Sequence, residues 1–230
     1  MKYVLIFFLL FPLPLNAEWK GLEPGLDYQK LNPSAHLFRI QPKQFHLDIL
    51  LASDYSASAL TAEDYKLKSH ALLVINGGFF DELFHSLGLL HRKGQTLRPL
   101  RNSLWGIFLI GTNGPSIIHS NVWRPEGASL AIQAGPRLLV DGVIPVFKES
   151  GPARRSAVGI TKEGWVIIAA TDSPMTLGEW AKTLQSDCIQ ALNLDGGGST
   201  QISATLPILN LNIPGITAVP NALGIFRTGP

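Results

Sequence analysis

The residues Asn193-Leu194-Asp195-Gly196-Gly197-Gly198-Ser199-Thr200 place a carboxylate directly ahead of three glycines, at the close of an apolar run over 189–194. That order fits a strand delivering an acid to a ligand. Glycine admits positive φ and carries no Cβ, so successive glycines let a ligand come close to the backbone. Amide N–H groups facing outward from such a turn can hold an anion or a developing oxyanion, with the charge of Asp195 beside them. A simple tight turn after a buried strand has the same composition. A second run of the same kind favours chemistry: the aliphatic residues 72–75 lead into Asn76-Gly77-Gly78-Phe79-Phe80-Asp81.

Competing motifs are weaker. Gly196-Gly197-Gly198-Ser199-Thr200 lacks the lysine and spacing of a nucleotide P-loop, and Gly198-Ser199-Thr200-Gln201 lacks the second glycine of a nucleophile elbow. His36, His46, His70, His85, His91 and His119 show none of the usual metal-ligand spacings. The single cysteine, Cys188, has no intramolecular partner and lies beside an apolar run, so it reads as a small buried hydrophobe.

At 230 residues, 46% hydrophobic and 16% charged, the chain can bury one substantial core and is too weakly charged for a disordered protein. Residues 1–17 stand apart. Lys2 precedes a compact apolar stretch, Pro12 and Pro14 follow it, and Asn16-Ala17 ends it. This pattern is that of a secretory signal, and cleavage after Ala17 leaves no permanent membrane span. Bulky Leu15, three positions back from that bond, keeps an uncleaved anchor open. Removing Lys2 leaves 18 basic against 17 acidic residues, and the basic ones are scattered, so no nucleic-acid partner is expected.

The positioning elements come next. Residues 45–51 alternate apolar and polar as a half-buried strand, and further strands are expected at 104–110, 129–133, 137–140, 157–160 and 165–170. Asp141-Gly142 and Glu163-Gly164 are hairpin signals. A short helix is expected over 61–70, capped by Thr61 with Asp64 as a weaker capping-box partner than Glu or Gln. A clearer one lies over 176–186, where Leu177, Trp180, Ala181 and Leu184 share a face. The apolar, Pro-interrupted stretch 202–216 reads as an interface or a loop packed on the core. Many hairpins with two helices imply an α+β fold: a mainly antiparallel mixed sheet with a few packed helices, forming a single domain. Residues 18–70 supply its N-terminal strands and helix, and residues 71–230 its core.

Five segments, taken in order, resemble the phosphodiester glycosidase domain family. They are Asn76-Gly77-Gly78-Phe79-Phe80, Gln133-Ala134-Gly135-Pro136, Arg155-Ser156-Ala157-Val158-Gly159, Met175-Thr176-Leu177 and Asn193-Leu194-Asp195-Gly196-Gly197-Gly198-Ser199, with Pro220-Asn221-Ala222-Leu223 beyond. The resemblance runs from about residue 71 to 226. It implies hydrolysis of a sugar 1-phosphodiester at the anomeric carbon, with a phosphorylated glycan as partner and a periplasmic or secreted location. On that reading Asp195 stabilises the cationic ring or activates water, and Arg155 forks onto phosphate oxygens. Asn76 and Asn193 hydrogen-bond sugar hydroxyls or orient the water. Gly77, Gly78, Gln133, Gly135, Gly196, Gly197, Gly198 and Ser199 line the cleft. Phe79 reads as core, with a sugar platform as its alternative, and Asp81-Glu82 as an exposed turn.

One departure stands out. Many members carry Gly-Arg after the strand at 165–170, where this chain has Thr171-Asp172. The change implies a differently charged substrate contacting Asp172, a divalent metal held through Asp172 and Asp195, or weaker activity. No cofactor is otherwise implied. A noncatalytic envelope glycan-binding module and an assembly protein remain the alternatives.

Overall fold

The computed structural model describes residues 18–31, 34–148 and 151–229; the signal segment inferred at 1–17 lies outside them. Among the described residues seventeen strands form three sheets. The chain opens with β1 (Lys20–Glu23), β2 (Leu26–Leu31), β3 (Ala35–Ile40) and β4 (Phe45–Leu51), followed by helix α1 (Ala62–Ser69) and β5 (Leu73–Asn76). Then come β6 (Leu90–Arg92), β7 (Gln95–Arg98), β8 (Gly106–Gly111), β9 (Gly114–His119), β10 (Ala128–Ala134) and β11 (Arg137–Leu139). The remainder is β12 (Ser156–Ile160), β13 (Val166–Thr171), helix α2 (Leu177–Leu184), β14 (Gln190–Asn193), β15 (Ile202–Leu206), β16 (Leu209–Ile213) and β17 (Asn221–Arg227).

The first sheet runs β1-β2-β3-β13-β12-β14-β11, the second β7-β6-β10-β8-β9 and the third β16-β15-β5-β17-β4. Every pairing between these strands is antiparallel, which corrects the expectation of a mixed sheet. The fold is largely β, with two short α-helices serving as covers.

Alternation explains the layering. The inner faces of all three sheets supply one core that contains Phe38 and Val158 from the first, Phe108 and Ile132 from the second, and Ile75 and Leu223 from the third. The outer face of the first sheet is closed by α2 through Trp180, Ala181 and Leu184, beside buried Cys188. The outer face of the third is closed by α1 through Ala62 and Tyr65. Both helices begin at complete capping boxes, Thr61 with Asp64 and Thr176 with Glu179, so Asp64 serves despite its shorter side chain.

Most of segment 202–216 is a hairpin, β15 pairing with β16 up to Ile213, because its apolar residues alternate inward. Residues before 70 are woven into the same sheets as the rest: β3 pairs with β13 and β4 with β17.

Candidate functional site

The ends of β5, β12 and β14 meet at one place. Ser156, opening β12, donates through Oγ to Asn76 Oδ1 at 2.6 Å, and Asn76 Nδ2 donates to the Asp195 carbonyl at 2.7 Å. The Gln201 N–H gives Asn76 Oδ1 a second bond at 3.1 Å, and the Asp195 N–H reaches the Gly77 carbonyl at 3.1 Å. Asn76 is fully buried. Its amide is therefore a junction between the first and third sheets, and it fixes the backbone that carries Asp195.

The Asp195 carboxyl is partly buried and accepts from the Gly196 N–H at 3.0 Å and from Ser199. Burial raises its pKa, and those two hydrogen bonds pull the other way. Among the described residues no ion pair holds it. Gly197 has φ +60° and open space where a Cβ would stand, so the turn presents bare backbone beside the acid.

Arg155 lies just across. A Cβ built on Gly196 would sit 3.9 Å from its Nη1, which places the guanidinium against the residue after Asp195. The side chain is buried, its Nε donating to the Met175 carbonyl at 2.9 Å and its Nη2 to that of Gly151 at 3.1 Å. Burial works against its charge and lowers its pKa. Arg154 braces the same turn, with Nη2 on the Thr200 carbonyl at 2.9 Å and its own carbonyl accepting the Gly197 N–H at 2.8 Å.

Several sequence-assigned contacts turn out to frame the site. The N–H groups of Gly77 and Gly78 bond the Asn221 carbonyl at 3.0 Å and the Asn221 Oδ1 at 2.8 Å, so neither is offered to a ligand. A Cβ on Gly77 would overlap the Asn221 Oδ1, and one on Gly78 would come within 2.9 Å of the Gln133 carbonyl, so these glycines serve close strand packing. The outward nest of amides is also corrected. Gly196 N–H goes to Asp195, Gly197 N–H to Arg154, Ser199 N–H to Gly196 and Thr200 N–H to Gly197.

Gln133 is buried and clamps a loop: Oε1 accepts the Leu89 and Arg101 N–H groups, and Nε2 donates to the Arg101 carbonyl at 2.8 Å and to Ser103 Oγ. Gly135 gives Trp105 room, a Cβ there standing 2.9 Å from the indole, and its carbonyl accepts Asn193 Nδ2 at 3.2 Å. Asn193 Nδ2 also reaches the Leu194 carbonyl at 2.7 Å, while its buried Oδ1 has no partner among the described residues. Phe79 packs on Trp105 with ring centroids 4.7 Å apart, as a partly buried core residue. Asp81 builds its turn, Oδ1 accepting from Leu83 and His85 N–H groups.

Asp172 belongs to another chain of contacts. It faces His36 Nε2 at 3.5 Å, and His36 Nδ1 bonds the Tyr28 hydroxyl at 2.8 Å. Burial of His36 lowers its pKa against the opposing effect of Asp172. Among the described residues no group of three or more His, Cys, Asp or Glu side chains could hold a metal ion. Sequence reasoning named Asn221 only within the Pro220-Asn221-Ala222-Leu223 motif and gave neither it nor Gln201 a role at the site. Gln201 ties the Ala62 N–H of α1 to the Ser199 and Thr217 carbonyls. Each carries a signal, an amide side chain at a strand edge beside a Pro or Gly motif, but their partners are distant in sequence.

The fold and site thus define an antiparallel β protein with an isolated acid on a glycine turn beside a buried arginine. The phosphodiester glycosidase family model matches residues 69–226, and the chain belongs to that family. No curated protein matches it. Among solved structures, the catalytic domain of zebrafish N-acetylglucosamine-1-phosphodiester alpha-N-acetylglucosaminidase, auto-inhibited by its pro-peptide, is similar at 19% identity and a TM-score of 0.70, over 88% of this chain and 82% of that one. A hypothetical protein from Synechocystis is similar at 17% identity and a TM-score of 0.65, over 92% of this chain and 64% of that one. A protein of Burkholderia pseudomallei K96243 assigned as exported is similar at 12% identity and a TM-score of 0.58, over 87% and 74%. At these identities the likeness is one of fold.

Proposed function

We propose that this protein hydrolyses the glycosidic bond of a sugar 1-phosphodiester on an envelope or extracellular glycoconjugate, in the periplasm or outside the cell. The observation that carries this reading is the Asp195 carboxyl, held by Gly196 and Ser199 at the open face of Gly197, with the Arg155 guanidinium against the same turn. Family membership and the name of the zebrafish relative support the reaction class. The exported relative and an apolar N-terminal segment support the location.

Cleavage of the anomeric C–O bond leaves both bonding electrons on the phosphate oxygen and positive charge on the ring. Ionised Asp195 stabilises that ring or takes a proton from the attacking water, whose oxygen forms the new bond to the anomeric carbon. Arg155 balances the charge gathering on the departing phosphomonoester. A phosphate leaves readily, so a single acid suffices. Asn193 holds the strand end through Nδ2, and its Oδ1 is buried away from a sugar. Asn76, Gln133, Gly77, Gly78 and Gly135 hold this arrangement in place without touching substrate.

The test is release of reducing sugar from a panel of sugar 1-phosphodiesters by the purified protein and by Asp195→Asn. Turnover that drops by about a thousandfold or more in the variant supports the assignment. Unchanged turnover ends it, and saturable binding without turnover by the parent protein makes it a glycan-binding module.

A further inference from the structure

A cavity whose lining includes Ser86, a partner of Asn221, shares no lining residue with the Asp195 turn. It encloses about 380 Å³ between the end of β4, the loop at 83–86, the β6–β7 hairpin and Pro220, within the size range of small-ligand sites. Its polar lining consists of Ser53, Ser58, His85, Ser86 and Arg98, and among the described residues no carboxylate lines it. Arg98 ends β7 on the edge of the second sheet, exposed and in no ion pair among the described residues. The Ser86 hydroxyl accepts Asn221 Nδ2 at 2.8 Å, which leaves its own proton to donate. Asp81, which is not among the lining residues, faces His85 Nδ1 at 3.4 Å and fixes the loop through its other oxygen.

The apolar part of the wall is equally defined. Leu51, Leu90 and Pro220 floor the cavity, and the Phe84 ring, stacked on Phe80 at 5.7 Å, forms one side. A planar guanidinium fork with nearby hydroxyl donors matches the three oxygens of a phosphate monoester, and an aromatic face matches the C–H surface of a sugar ring. We propose that this cavity is a binding site for a phosphorylated monosaccharide, with the phosphate on Arg98 and Ser86 and the ring against Phe84. The site is distinct from the Asp195 turn and stands whether or not that turn is catalytic.

Isothermal titration with glucose 6-phosphate, glucose and inorganic phosphate tests it, using the parent protein, Arg98→Ala and Asp195→Asn. Arg98 is exposed on an edge strand, so its truncation leaves the fold intact. One-to-one binding of glucose 6-phosphate is expected, retained in Asp195→Asn, about tenfold or more weaker in Arg98→Ala, and about tenfold or more weaker for glucose. The proposal is overturned if no saturable heat is seen, or if Arg98→Ala binds as the parent does. It is also overturned if Asp195→Asn abolishes binding, which would put the probe at the turn. Inorganic phosphate binding as tightly as the sugar phosphate would likewise overturn the sugar's part.

Discussion

Replacing Asn76 by aspartate separates a framing role from a substrate contact. The introduced carboxyl keeps the size of the amide and can still accept from Ser156 Oγ and the Gln201 N–H, but once ionised it has no proton for the Asp195 carbonyl 2.7 Å away. The position is fully buried, and an uncompensated charge there costs about 3–5 kcal/mol at neutral pH. In a chain of this size each kcal/mol moves Tm by about 2–4 °C, so the variant melts about 6–20 °C below its parent at pH 7. Burial raises the folded-state pKa of the new carboxyl above its unfolded value of about 3.9. The variant's deficit is therefore small below that pH, where the protonated group can donate to the carbonyl, and it grows as pH rises toward the folded pKa. Paired urea melts of variant and parent across pH 4–8 read this difference directly. A deficit independent of pH, or an unchanged Tm alongside lost turnover, would refute the argument and put Asn76 against substrate.

Other outcomes follow from the same geometry. Asp195→Asn is expected to stabilise the protein while removing turnover. A group whose folded pKa is raised by burial loses stability as pH climbs through its unfolded value, so removing its charge should raise Tm at pH 7 relative to the parent, and the gain should vanish in acid below the unfolded value. By the same sign, turnover that needs ionised Asp195 should fall in acid with a limb lying above about pH 3.9, seen in a kcat/KM profile. Gly77→Ala drives a methyl into Asn221 and should cost about 3 kcal/mol or more. Gly197→Ala meets open space and costs only its positive φ, about 1 kcal/mol, so denaturant melts of the pair should differ clearly.

Much of the framework was legible because its signals are local. The 45–51 alternation, the two Thr-led helix starts and the Asp141-Gly142 turn each declare themselves within a few residues, and the structure has β4, α1, α2 and the Val140–Val143 bridge at those places. The edge strand β7 was not legible, since Gln95–Arg98 is exposed throughout and shows no alternation. The hairpin β15–β16 was obscured because strand and packed loop share the same apolar composition. At the site, Asp195 and Arg155 were singled out from residue type and motif, and each borders Gly196, the first through its carboxyl and the second through its guanidinium. What sequence could not show is where hydrogen bonds go. Gln133, Gly77 and Gly78 look like ligand contacts until their partners, Arg101 and Asn221, are known. A buried amide and a binding amide are the same letters, distinguished by long-range pairing.

The place of β17 bears on when the protein becomes competent. This strand lies between β5 and β4, and its first residue, Asn221, secures Gly78 from 143 positions away. During synthesis the Asn76-Gly77-Gly78 corner therefore stays unlatched until nearly the whole described chain has left the ribosome. Contacts spanning such distances close slowly, because the loop entropy is lost before the pairing is gained. Nascent chains would linger in an unassembled state, and the corner that holds the Asp195 backbone would be completed only once the final strand slots home.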